Sequence, residues 1–120
     1  MFELMQHLIA FKYACKTNHW STDNYADHLL FDRLAEGIDD SVDDIAEKHF
    51  MANDNKKAFD TAVLNPGMID KNLVKMIESI TKHLEKLQND DSLNTGMLSL
   101  LSRIEEDFLT KLALAKLASK

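Results

Sequence analysis

The sequence predicts an all-α protein, a four-helix bundle in which a long crossover joins the second and third helices. Only three glycines and one proline occur in 120 residues, while residues that favour helices are abundant. Apolar side chains recur at spacings of three and four residues, as on one face of a helix. Polar turn residues separate these periodic stretches. At this length we expect one domain over residues 1–120.

The helices are predicted at residues 2–19, 24–52, 70–89 and 92–118, with ends set by cap and breaker residues. The predicted core face of the second helix is Leu30, Phe31, Leu34, Ile38, Val42 and Ile45. The connection at 53–69 holds breakers at both ends, with a short helix expected at 57–63. Two short connections and one long crossover are typical of a ferritin-like bundle and not of a plain up-and-down bundle.

Negative charge is concentrated on the second predicted helix. Residues 24–52 hold eight acidic residues against two basic ones, a net charge of −6, so the rest of the chain is neutral. Like charges four residues apart on a helix repel each other. A metal ion or a basic partner would relieve that repulsion, whereas nucleic acid is not an expected partner because no basic stripe is present.

Four side chains on this helix are of types that bind metal ions. His28 and Asp32 are four residues apart, and so are Asp43 and Glu47, so each pair is predicted to lie on neighbouring turns of one face. In a continuous helix the four positions fall at about 0°, 40°, 60° and 100° around the axis. Asp32 and Asp43 are nevertheless roughly 16 Å apart along that axis. One helix therefore cannot close the site alone.

A second copy of the helix would complete the site. Both outer and inner pairs are centred next to Gly37, so an antiparallel copy related by a two-fold axis there would place His28 opposite Glu47 and Asp32 opposite Asp43. Two equivalent metal sites would result. Gly37 lacks a Cβ, which suits the point where two backbones come closest. The pattern therefore predicts a homo-oligomer with a two-fold interface near Gly37.

The run His19-Trp20, then His28-Leu-Leu-Phe-Asp32, then Asp43-Asp-Ile-Ala-Glu47 resembles the iron-oxidation motif of Dps-type miniferritins, which are ferritin-like proteins. The likeness covers about residues 5–52 and beyond them rests on the helix pattern.

The resemblance implies a di-iron ferroxidase centre between two subunits. His19, His28 and Asp32 would ligate iron from one chain, and Asp43 and Glu47 from its partner. It also implies an oxidoreductase that oxidises Fe(II), with peroxide as the oxidant, in a hollow dodecamer. Iron storage or detoxification and protection from oxidative stress would be the cellular role. DNA binding is not expected, because a lysine-rich extension is absent.

The alternative function is a ferritin-like bundle that binds metal, or serves as a scaffold, without ferroxidase turnover. At the level of single residues, the acidic stripe could be a solvated face, and His19 could cap the end of its own helix. Trp20 could fill the core or shield a metal centre. The acids Glu36, Asp39, Asp40 and Asp44 are expected to be solvated or to bind cations in transit.

The remaining histidines are expected to be structural. His49 is predicted to be a hydrogen-bonded histidine at the core edge, and His7 and His83 have no predicted ligand partner on their own helices. Cys15 is predicted to be an inert buried thiol. No Glu-x-x-His occurs, so a di-iron site within one subunit is not expected. With one cysteine, no signal sequence and no long apolar run, we expect a soluble cytoplasmic protein without a membrane segment.

Overall fold

The computed structural model describes residues 1–55, 59 and 62–118. Its α-helices are α1 (Phe2–Ser21), α2 (Tyr25–Ala35), α3 (Ile38–Ile45), α4 (Leu73–Gln88) and α5 (Thr95–Ala118). A π-helical turn (Ala46–Met51) extends α3, and a short 3₁₀ helix (Pro66–Met68) precedes α4. The described residues contain no β-strand, so the all-helical prediction is confirmed. The short helix predicted at 57–63 lies largely outside the described residues.

Helices α2 and α3 together occupy one of four positions in an elongated bundle of 45 × 27 × 20 Å. Side-chain contacts give the directions of the helices. Lys16 of α1 meets Asp32, and the earlier Lys12 meets the later Asp39, so α1 is antiparallel to α2 and α3. Lys111 of α5 meets Glu36, and the earlier Arg103 meets the later Asp44, which makes α5 antiparallel to them as well.

Helices α4 and α5 form a second antiparallel pair. The Nε2 atom of Gln88, at the end of α4, donates to Oε1 of Glu105 in α5 at 3.1 Å, and only residues 89–94 join the two helices. These directions make α4 parallel to α2 and α3. Met51, which ends the π-helical turn, and Leu73, which begins α4, therefore lie towards opposite ends of the bundle.

The core lies where the four positions meet. The rings of Phe11 and Phe108 pack there with centroids 5.3 Å apart. The fully buried side chains of the core include Leu4, Leu8, Leu34, Ile38, Ile45, Ile77, Ile80, Leu84 and Leu101. The partly buried side chains packed against it include Leu30, Phe31 and Val42. The core face predicted for the second helix is therefore confirmed.

The continuous second helix predicted over 24–52 is wrong, because the chain breaks between α2 and α3. Glu36 is extended, with ψ of 140°, and Gly37 has φ of +79°, a conformation open to glycine and costly for other residues. The buried Lys111 donates from Nζ to the carbonyl oxygen of Glu36 at 2.8 Å. It thereby satisfies a carbonyl that the broken helix leaves without an intrahelical partner.

The break changes the explanation of Gly37. A Cβ on this residue would meet nothing within 4 Å, so its backbone conformation, and not close packing within the chain, requires glycine. The break also removes the fixed angle between the pairs His28/Asp32 and Asp43/Glu47. The prediction that all four side chains lie on one stripe assumed a continuous helix, so it is wrong. Each pair still keeps its own four-residue spacing.

Candidate metal half-site

The two histidines of the motif come together where α1 ends and α2 begins. Asn24 caps α2 by accepting from the backbone N–H of Asp27 at 3.1 Å, and the resulting tight turn brings His28 back against His19. Their imidazole rings stack with centroids 3.7 Å apart and planes 21° apart. Both side chains are partly buried.

Reciprocal hydrogen bonds hold the two rings in place. Nδ1 of His19 lies 2.6 Å from the carbonyl oxygen of His28, and Nδ1 of His28 lies 2.8 Å from the carbonyl oxygen of His19. A carbonyl oxygen only accepts, so each Nδ1 must carry the proton and donate. In a neutral imidazole the lone pair is then on Nε2. Metal-binding histidines are commonly oriented in this way, through their second nitrogen.

The hydrogen bonds also show whether the side chain of His19 caps the C-terminus of its own helix, α1. It does not, because it bonds to the carbonyl of His28 in α2. His28 takes that role instead, since the carbonyl of His19 belongs to the last turn of α1. The turn between the helices is thus closed by both histidines.

Asp32 lies one turn after His28 on α2, with its side chain 51% exposed. Nζ of Lys16 donates to its Oδ1 at 2.8 Å. This hydrogen bond, together with the charge of Lys16, lowers the pKa of Asp32. Asp32 is therefore a carboxylate near the two histidines with a lysine as its present counter-ion. The spacing of the motif did not predict Lys16, because its contact forms between helices.

Asp43 and Glu47 lie on the other side of the break. Asp43 is on α3, Glu47 is in the π-helical turn, and both are exposed. Among the described residues, no hydrogen bond or ion pair involves either side chain. The neighbouring Asp44, in contrast, is bound by Arg103 at 2.7 Å. π-Helical turns occur often at functional sites.

One chain therefore holds separated parts of the predicted centre. Within residues 1–55, 59 and 62–118, no group of three or more His, Cys, Asp or Glu side chains is placed to hold a metal ion. His19 and His28 are brought together, Asp32 is near them, and Asp43 and Glu47 belong to another part of the surface.

Three large apolar side chains close to His19 and His28 in the sequence are exposed. Trp20 follows His19 directly and is 68% exposed, Tyr25 is 75% exposed, and Leu29 is 51% exposed. Trp20 is therefore not a core side chain of this chain, which removes one of its two predicted roles.

Two expectations for the other histidines are wrong. Nδ1 of His49 is buried and has no hydrogen-bond partner among the residues that the structure describes, although a hydrogen bond was predicted for it, and burial lowers its pKa. His7 does have a carboxylate on its own helix, since Oε1 of Glu3 lies 3.5 Å from its Nε2. The spacing of four residues between Glu3 and His7 was a visible signal of that contact.

A scan against protein-family models, a search of curated proteins and a search of solved structures find no match to this chain. The resemblance to miniferritins thus rests on the motif residues themselves. Among the described helices, none has the length and apolar character needed to cross a membrane.

Proposed function

We propose that this protein is a ferritin-like bundle of the Dps type that binds Fe(II) between two copies of the chain and oxidises it. The observation that carries the proposal is the stacked pair His19 and His28, whose Nδ1 atoms are both engaged with backbone carbonyls. This arrangement leaves the Nε2 atom of each neutral ring as a potential metal donor, with the carboxylate of Asp32 one turn after His28 on α2.

The donor set fits iron. Imidazole nitrogen and carboxylate oxygen together suit Fe(II), and few protein ligands leave coordination positions for an oxidant. His19, His28 and Asp32 would hold iron from one chain, and Asp43 and Glu47 from its partner. The ion is the substrate and supplies the electrons. The protein orients the imidazoles and supplies negative charge. Lys16 bonds to Oδ1 of Asp32, so Oδ2 is the oxygen that would bind the cation.

A shared site explains three features that one chain leaves without a purpose. Among the described residues the histidine pair belongs to no group of three ligands that could hold a metal ion, Asp43 and Glu47 have no partner, and Trp20, next to His19 in the sequence, is exposed. A second copy would bring Asp43 and Glu47 to the histidines and cover Trp20. The direction of the crossover adds support for ferritin-like topology. A larger shell such as a dodecamer, and a role in iron storage or detoxification, belong to the proposal through the resemblance.

The break at Gly37 favours a second candidate, a metal-binding bundle without turnover. Because α2 and α3 are separate rods, the positions of the two half-sites relative to each other depend on the break. Metal binding tolerates such variation better than paired oxidation does, since catalysis needs reacting groups held in one productive geometry.

The test compares Fe(II) oxidation, with oxygen or peroxide, by the wild-type protein and three variants. We expect loss of activity in His19→Gln/His28→Gln and in Asp43→Ala/Glu47→Ala, with helical content retained. Asp40→Ala is the matched control, because Asp40 is an exposed acid of α3 outside the motif, and it should remain active. Full activity of the Asp43→Ala/Glu47→Ala protein would refute the assignment. Fe(II) binding without turnover in the wild type would select the second candidate.

A mixing experiment tests whether the site is shared. The histidine variant and the carboxylate variant are unfolded together in equal amounts and refolded. In a two-fold dimer half of the dimers are mixed and each has one complete site, so about a quarter of the wild-type activity should return. If each site lay within one chain, the mixture would be as inactive as its components. That result would overturn the two-fold arrangement.

A further inference from the structure

The junction between α2 and α3 leaves backbone donors without acceptors. Among the described residues, no hydrogen bond is donated by the backbone N–H groups of Gly37, Asp39 and Asp40. The next amide, that of Ser41, bonds to the carbonyl oxygen of Gly37 at 3.1 Å, as in an ordinary helix. In a continuous helix the three free N–H groups would bond to the carbonyls four residues earlier. Straightening the junction would therefore complete the missing backbone bonds.

A lysine side chain occupies one of the carbonyls that these bonds need. In a continuous helix the carbonyl of Glu36 points along the axis to the N–H of Asp40. Here it accepts instead from Nζ of Lys111 at 2.8 Å. Lys111 is only 4% exposed, and its ion pair with Asp107, one turn earlier on α5, is longer at 3.3 Å. A buried ammonium needs close acceptors, so Lys111 holds the junction in its broken form.

The core packing at the junction is compatible with a straight helix. Leu34, Ile38 and Ile45 are buried in the broken form. On one continuous helix the same three side chains would lie within about 40° of one another, so they would still face the core. On the side of α5, two clefts of about 260 and 320 Å³ border Gly37. The backbone therefore has space to move there.

The contacts with α1 keep such a change local. Lys16 pairs with Asp32 before the break, and Lys12 pairs with Asp39 after it. Both lysines belong to one helix, so α2 and α3 already run along the same neighbour. Straightening the junction thus needs no exchange of neighbouring helices.

We propose that residues 36–37 are a two-state hinge and that the contact from Lys111 to Glu36 holds it in the broken state. In the straight state Gly37 adopts helical backbone angles and residues 25–45 form one helix. The hinge depends on no metal ion. Its consequence for the metal site rests on the proposed function: the straight state would place the two ligand pairs of the motif on one stripe.

Amide hydrogen exchange of the metal-free full chain tests the hinge. Gly37→Ala favours the straight state by about 30-fold, and Lys111→Met by about 10-fold or more, because a hydrogen bond from a charged donor is lost. The amides of residues 37, 39 and 40 should exchange rapidly in the wild type and slow together by at least about 10-fold in Gly37→Ala/Lys111→Met. Gly37→Ala/Lys82→Met, which changes an exposed lysine of α4, is the matched control and should exchange rapidly.

A second measurement covers the case in which the double variant does not fold. Relaxation-dispersion NMR of Lys111→Met should show exchange on the μs–ms timescale at residues 33–41, with a larger amplitude than in the wild type. Rapid amide exchange in a folded double variant would overturn the hinge. If that variant is unfolded, a flat dispersion profile in Lys111→Met would overturn it. Neither measurement uses iron, so the hinge and the proposed function fail separately.

Discussion

The backbone conformation of Gly37 determines whether Gly37→Ala raises or lowers the free energy of unfolding. In Gly37→Ala, the new methyl group would meet nothing within 4 Å, so packing contributes no penalty. The left-handed conformation, with φ of +79°, costs a residue with a Cβ about 1–2 kcal/mol. We therefore expect the free energy of unfolding to fall by about 1 kcal/mol after allowance for the lower entropy of the unfolded alanine chain.

A continuous helix predicts the opposite sign. Alanine in the interior of a helix is more favourable than glycine by about 0.8–1.0 kcal/mol. The broken and the continuous helix thus predict changes in the free energy of unfolding that differ by about 2 kcal/mol for Gly37→Ala. This gap exceeds the uncertainty of a careful comparison between two variants.

The assay is urea denaturation of the metal-free protein, followed by circular dichroism. A loss of 1 kcal/mol lowers the midpoint by roughly 0.3–1 M urea, because the slope of such transitions is about 1–3 kcal/mol per molar. Gly96→Ala is the control, since Gly96 lies in the first turn of α5 without a positive φ and alanine should be tolerated there. If Gly37→Ala were as stable as the wild type or more stable, the break between α2 and α3 would be refuted.

Three further substitutions test single contacts. Lys111→Met should lower the free energy of unfolding by about 1–3 kcal/mol, measured in urea, because it leaves the carbonyl of Glu36 without its donor; an unchanged midpoint would argue against that cap. Burial raises the pKa of the Cys15 thiol from 9.0 to about 12, so the unfolded thiol ionises first as pH rises, and stability should fall between pH 9 and 12. Cys15→Ala should show a smaller fall over that range, and equal pH profiles would contradict the assignment. In Lys16→Met the pKa of Asp32 should rise towards 3.8 in an NMR titration, because the hydrogen bond that lowers it is lost; an unchanged pKa would exclude the ion pair in solution. In the wild type this pair stabilises the fold above the unfolded pKa and is lost as pH falls through the folded one.

Helices and core faces could be predicted because burial selects one side of each helix. The apolar positions Leu34, Ile38 and Ile45 keep helical spacing across Gly37. The spacing of apolar residues therefore does not indicate that the helix breaks there. A glycine within such a pattern is compatible with a helix interior and with a residue of positive φ. The choice between them depends on contacts from elsewhere, here the carbonyl of Glu36 and the lysine on α5.

The candidate site could be predicted only in its residue types. Spacing placed His28 and Asp32 on one face, and α2 preserves that relation. The stacking of His19 on His28 depends on the geometry of the turn, and Lys16 meets Asp32 only after α1 and α2 pack. Contacts between two helices produce no regular spacing in the sequence, because the residues that meet are separated by the turn between the helices.

The reciprocal bonds between His19 and His28 make the two positions dependent on each other. Replacing either ring removes a donor from one backbone carbonyl and, with it, the stacking surface of the ring that remains. The stability lost in the double variant should therefore be less than the sum of the two single losses, as is general for residues in contact. A sequence that has lost one of these histidines has little physical reason to keep the other, and we expect related chains to carry both or neither.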